Sequence, residues 1–172
     1  MSDDIFKEFD RIFREEMKRI RKMITELTNI PAKEWERFTR SDQPMIFGFT
    51  YRWGTGMEKP EIRFFGNVKP KAPFGMSIED TVTPAYDIID KEDHYEIVVE
   101  LAGARKEDVE LRVKEDKLYV KAKSPYRTYE GVIPIPADAL KEDIKAKMNN
   151  GILVVYLKKT GEGRRERIVP ID

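Results

Sequence analysis

Residues 144–157 read Ile144-Lys145-Ala146-Lys147-Met148-Asn149-Asn150-Gly151-Ile152-Leu153-Val154-Val155-Tyr156-Leu157. Asn150-Gly151 is a strong hairpin signal, because a two-residue loop whose twist matches its strands needs positive φ at both positions. The stretch predicts one strand over 144–148, a tight turn, and a second strand over 152–157. No hydrophobic run here approaches the roughly 20 residues of a membrane span.

Upstream, the same two-residue period continues. Tyr95, Ile97, Val99 and Leu101 alternate with Glu96, Val98 and Glu100; Val109, Leu111 and Val113 alternate with Glu110, Arg112 and Lys114; Leu118, Val120 and Ala122 alternate with Tyr119, Lys121 and Lys123. Turn signals separate the runs at Ala102-Gly103, Glu115-Asp116 and Ser124-Pro125. Short strands at this spacing, with no helices between them, predict an antiparallel sandwich of two sheets over residues 81–159. A sandwich of this size buries only roughly 60% of the surface its unfolded chain exposes, so association with other copies is a natural way to stabilise it.

The apolar side chains are unevenly divided. All nine Phe and both Trp lie at or before Phe74, whereas residues 84–172 have Tyr as their only aromatic. Residues 3–28 read as an amphipathic helix, with Ile5, Phe9, Ile12, Phe13, Met17, Ile20, Ile24 and Leu27 at three- and four-residue spacing. Asn29-Ile30-Pro31 stops it, and Pro31 opens a second short helix with Trp35 and Phe38 on one face. Between Ser41 and Gly75, four Pro and five Gly break the pattern, yet Phe47, Phe49, Tyr51, Trp53, Phe64 and Phe65 lie there too. Linkers are ordinarily polar and poor in aromatics, so residues 1–80 read as a helical and irregular, adhesive arm. At the other end, residues 160–172 read as a mobile polar tail closed by Ile168-Val169-Pro170-Ile171, where Val169 and Ile171 point the same way when extended.

Charge excludes several functions. The chain has 32 basic and 32 acidic side chains. The balance is also local: 15 basic and 14 acidic in 1–83, 14 and 15 in 84–160, and three of each in 161–172. That even mixture argues against a nucleic-acid partner. With no Cys and one His, a thiolate zinc site, a cysteine nucleophile and a multi-histidine metal cage are excluded. His94 beside Asp90, Glu92 and Asp93 reads as a solvated turn entering a strand rather than as a metal or acid–base site. The pairs Asp87/Asp90 and Glu107/Asp108 are what charged turns produce by chance. No phosphate loop ending in Gly-Lys-Ser/Thr is present, so no nucleotide cofactor is expected, and with no nucleophile–base pair or metal cluster in the sequence no enzymatic role is expected. Met1 is followed by acidic residues rather than a signal-peptide pattern, which points to a cytoplasmic location. High Lys and Glu with a single Gln resembles the usage of thermophile proteins.

The sequence resembles the small heat-shock protein (alpha-crystallin) family over roughly residues 80–171. Ala146-Lys147-Met148-Asn149-Asn150-Gly151-Ile152-Leu153 fits the family's A-x-x-x-n-G-v-L signature. Leu101-Ala102-Gly103, Ile135-Pro136 and the terminal Val169-Pro170-Ile171 follow in the family's order. The resemblance implies an immunoglobulin-like sandwich that dimerises, and a tail motif that anchors in a groove of a neighbouring subunit. It also implies an ATP-independent holdase that binds unfolding clients and assembles into a large homo-oligomer. Carried over, the anchor is Val169, Pro170 and Ile171, and the groove lining is Val109, Leu111, Val113, Ala146 and Met148. The alternative is that these lining residues face only their own core. The arm residues Phe6, Phe9, Phe13, Trp35, Phe47, Phe49, Trp53, Phe64 and Phe65 would serve as oligomer core first, client surface second and membrane-surface anchor third. A non-assembling sandwich adaptor remains a further alternative. Only Ser124 to Gly131 is available where microbial members insert a long exchanged loop, so a long swapped arm is not expected.

Overall fold

A computed structural model describes residues 2–27, 30–39, 44–54, 57, 60–70 and 76–160. The chain forms two compact units, Met1–Val82 and Thr83–Asp172.

In the first unit, helix α1 spans Ser2–Leu27 and α2 spans Ala32–Thr39. They match the expected pair of helices, and the Trp35 N–H bonds the Pro31 carbonyl at 3.1 Å to start the second. Three strands follow, β1 (Phe47–Arg52), β2 (Glu61–Pro70) and β3 (Met76–Thr83), which lie side by side in that order. Two of these fall inside the stretch read as irregular, and that reading needs correcting. Phe47, Phe49 and Tyr51 do alternate with Gly48, Thr50 and Arg52, but the glycine looks like a breaker. Its place in the sheet is a packing requirement: Gly48 pairs with Phe65, whose ring lies where a Cβ on residue 48 would be. A small core of Ile30, Val68, Met76 and Ile78, with Phe47 against it, holds the unit together. Asn67, also buried, is satisfied by the chain entering β1: its Oδ1 accepts from the Ile46 N–H at 2.8 Å and its Nδ2 donates to the Pro44 carbonyl at 3.2 Å.

The second unit is an immunoglobulin-like antiparallel β-sandwich, as the alternation predicts. One sheet has four strands in the order β4 (Tyr86–Asp90), β5 (His94–Glu100), β10 (Ile152–Lys159) and β9 (Ala139–Asn149). Facing it, β8 (Thr128–Pro134), β7 (Lys117–Lys123) and β6 (Val109–Lys114) lie side by side. Register fixes which residues turn inward. Val99 pairs with Leu153 and Ile97 with Val155 in the first layer, Val120 pairs with Leu111 and Leu118 with Ile133 in the second. Ile97, Val99, Leu118, Val120, Ile133, Leu153, Val155 and Leu157 are all buried, each contributing about 1.5–3 kcal/mol of apolar transfer.

The connections are short. Asn150 and Gly151 have φ of 48° and 77°, the two left-handed positions a two-residue hairpin requires, and Asn149 pairs with Ile152 across it. Between β7 and β8 the chain turns in residues 124–127, where the Ser124 hydroxyl donates to the Arg127 carbonyl and accepts from the Arg127 N–H, both at 3.1 Å. Tyr129 is buried and donates its hydroxyl to the Ala102 carbonyl at 3.0 Å, while Tyr126 stands in solvent.

Candidate functional site

Two strands end the layers of the sandwich, β6 beside β7 and β9 beside β10. An ion pair between Lys141 on β9 and Asp116 in the β6–β7 turn ties them to the same side. On both, the side chains that register turns inward remain accessible. Val109, Leu111 and Val113 pair with the buried Ala122, Val120 and Leu118, yet the first two are half-buried and Val113 is 40% exposed. Ala146 and Met148 pair with the buried Val155 and Leu153, yet Ala146 is exposed and Met148 half-buried. Among the described residues the inner layer is thus filled at the centre and more accessible along these two end strands. Ile144, which pairs with buried Leu157 and is half-buried, belongs to the same row. Sequence reasoning placed Ile144 on the strand without naming it as lining; its position two residues before Ala146 was the signal.

The anchor residues Val169, Pro170 and Ile171, and the tail from residue 161, lie outside the described residues.

The arm residues divide by exposure. Phe6 is 69% exposed; Phe13, Trp35 and Phe64 are exposed to a lesser degree; Phe9, Phe47, Phe49, Trp53 and Phe65 are half-buried. Several form one aromatic cluster between α1 and the β1–β2 hairpin. Phe9 lies 5.7 Å from Phe13 and 5.3 Å from Trp53, and Phe13 meets Tyr51 edge-on at 5.6 Å, ring centre to ring centre. Among the described residues, the Tyr51 hydroxyl is buried there without a hydrogen-bond partner. Burial, and then the charge of Glu16, push its pKa up.

His94 opens β5 after a short connection from β4, in keeping with a turn entering a strand. Its Nδ1 lies 2.6 Å from an Asp93 carboxylate oxygen and its Nε2 3.4 Å from Glu96. Hydrogen bonds to Asp93 and then Glu96 raise its pKa. Of the carboxylates weighed as pairs, Asp90 is held instead by Lys159.

The Hsp20/alpha crystallin family profile matches residues 87–172. The chain belongs to this family. Among relatives of the Hsp20-family chain, the Small heat shock protein C2 of Rickettsia felis is 27% identical over 112 residues, covering 56% of this chain and 73% of that protein. The mitochondrial Heat shock 22 kDa protein of Glycine max is 30% identical over 95 residues, covering 50% of this chain and 45% of that protein. The chloroplastic small heat shock protein of Solanum lycopersicum is 28% identical over 89 residues, so the chain spans 38% of that relative's length. Among solved structures, heat shock protein 16.0 from Schizosaccharomyces pombe aligns with 24% identity over 54% of this chain and 77% of that one, at a TM-score of 0.43. Family membership supports a chaperone role and not an enzymatic one. Among the described residues no helix is long and apolar enough to cross a membrane, and the organellar names of the plant relatives leave the compartment open.

Proposed function

We propose that the chain is an ATP-independent holdase: it binds unfolding proteins through the aromatic residues of its arm and assembles into large, dimer-based oligomers through its tail. Residues 1–80 would act as the arm, 81–159 as the assembling sandwich and 160–172 as the anchoring tail, in the cytoplasm.

The observation that carries this reading is the open margin of the sandwich. Among the described residues, inward-facing apolar side chains on β6 and β9 are less covered than their buried partners, and the Val169/Ile171 pair of the sequence, two positions apart, would suit them. Burying two aliphatic side chains yields about 3–5 kcal/mol before the ordering of the tail is subtracted, which makes a weak, reversible link. Many such links per assembly give avidity while each can still open.

The arm supplies the client surface. Phe6 already faces solvent, and the cluster under α1 holds more aromatic area in reserve. The Tyr51 hydroxyl, buried without a partner among the described residues, favours release, because lifting α1 lets water satisfy it. Large, adaptable apolar surfaces suit promiscuous capture.

The test is turbidity of a heated client without nucleotide. The reading expects suppression at near-stoichiometric chaperone, lost when Phe6, Phe9 and Phe13 are replaced by Ser. Full suppression by that variant would place the client surface elsewhere.

A further inference from the structure

The row β1-β2-β3 ends at β1, and no strand of the described residues pairs with the other side of that strand. Edge strands are normally blunted by lysines, prolines or bulges, because their free backbone groups invite another strand. Here the edge reads Phe47-Gly48-Phe49-Thr50-Tyr51, without charge or proline, and its pairing with β2 runs without a slip. Register tells which backbone groups are free. The Asn67 N–H donates to the Ile46 carbonyl at 3.0 Å, and these two residues are next in the register that pairs Phe47 with Gly66. Bonded and non-bonded pairs alternate along an antiparallel ladder, so the bonds to β2 fall on Gly48, Thr50 and Arg52. The N–H and carbonyl groups of Phe47, Phe49 and Tyr51 therefore point away from β2. Their side chains share one face of the sheet, where Phe9 and Phe13 of α1 meet Tyr51.

We propose that this edge pairs antiparallel with β1 of a second copy, about a two-fold axis normal to the sheet that passes between the two Phe49 residues. Phe49 then lies opposite its own copy and Phe47 opposite Tyr51, and each such pair exchanges both of its backbone hydrogen bonds. The aromatic face continues across the joint, ring opposite ring, an arrangement that cross-strand pairs favour. Arg52 falls opposite Ile46 rather than opposite another Arg52, so no like charges meet. The sequence is thus self-complementary about its middle residue. Centring the axis on Phe47 or Tyr51 would leave one of the three aromatic positions without a partner inside the strand, so Phe49 sets the register. An edge this short makes a weak contact, which forms where copies are already concentrated. It uses neither the tail nor the strands β6 and β9.

The chain has no cysteine, and Thr50 is exposed, so Thr50→Cys in the full-length protein places a single reactive thiol near the axis. In the proposed pairing the two thiols are diagonal neighbours, about 7–8 Å apart, and a short bismaleimide should join them. Phe49→Ala and Phe49→Pro, each added to that background, both lose the ring, but only the proline removes the N–H aimed at the second copy. The alanine variant should keep most of the cross-linked yield. The proline variant should lower it by on the order of tenfold, since both hydrogen bonds at the axis go. With the arm left unaltered, a synthetic peptide of residues 46–52 should compete for the edge and lower the yield of Thr50→Cys. All of this should persist when Val169 and Ile171 are also replaced by Ala, which separates the contact from tail-driven assembly. Absence of the cross-link, equal yields from the alanine and proline variants, no competition by the peptide, or thiols joined to a heated client in place of a second copy would overturn the proposal.

Discussion

Val113 and Leu118 face each other across the β6–β7 pair and share one side of it, yet Leu118 is 1% exposed and Val113 40%. The same contrast recurs on the other layer, between buried Leu153 and half-buried Met148. Two neighbours of one inner face thus do different work. Leu118 fills the inner layer, while Val113 lies on its margin.

That difference gives a pair of opposite outcomes. Val113→Asp should leave the midpoint of urea unfolding nearly unchanged, within about 0.5 kcal/mol, because its carboxylate reaches water. It should nonetheless shift the protein to smaller species in sedimentation. Leu118→Asp should cost several kcal/mol through an unpaired buried charge and leave little folded protein, on the order of 3 or more by mutational scales.

The hairpin at Asn150-Gly151 is less tolerant at its second position than at its first. A Cβ on residue 151 would meet the Ala102 Cα and the Leu101 carbonyl oxygen at 3.1 Å, at a φ of 77°. Gly151→Ala should therefore destabilise by about 1–3 kcal/mol, whereas Asn150→Gly should be close to neutral. Thermal unfolding of the two variants side by side checks the asymmetry.

Tyr51 is the place where removing a polar group should help. Tyr51→Phe takes away a buried hydroxyl without a partner among the described residues and keeps the ring that meets Phe13 edge-on. The variant should gain about 1 kcal/mol and begin to protect a heated client only at a higher temperature. A variant less stable than the parent would contradict this reading of the cluster.

His94 is the single histidine, so its proton resonances titrate without overlap. Its pKa is raised by the hydrogen bonds to Asp93 and Glu96, which means the folded state binds the proton more tightly than the unfolded chain. The stabilisation is present in full below the unfolded value of 6.5 and is lost as pH rises through the higher folded value. NMR titration should give a midpoint above 6.5, and His94→Gln should lower stability at acidic pH and leave it unchanged at alkaline pH.

The sandwich was legible in the sequence because its strands are half-buried, so that Tyr95-Ile97-Val99 and Leu118-Val120-Ala122 print the period of the sheet directly. The strands of the arm were not. Gly48 is there to seat the Phe65 ring, a relation between partners 17 positions apart that a local window reads as a break. The margin of the site was half legible: alternation names Val109, Leu111, Val113, Ala146 and Met148 as one-sided, but only sheet order places their strands at the ends of the two layers.

The central claim, that the tail clasps the margin of a neighbour and heat undoes the clasp, is tested most directly by the solution mass of the full chain and of V169A/I171A across temperature. The account predicts a large assembly for the parent that loosens on heating, and small folded species for the variant at every temperature. Identical sedimentation profiles for the two, or a parent that is a lone subunit throughout, would contradict it.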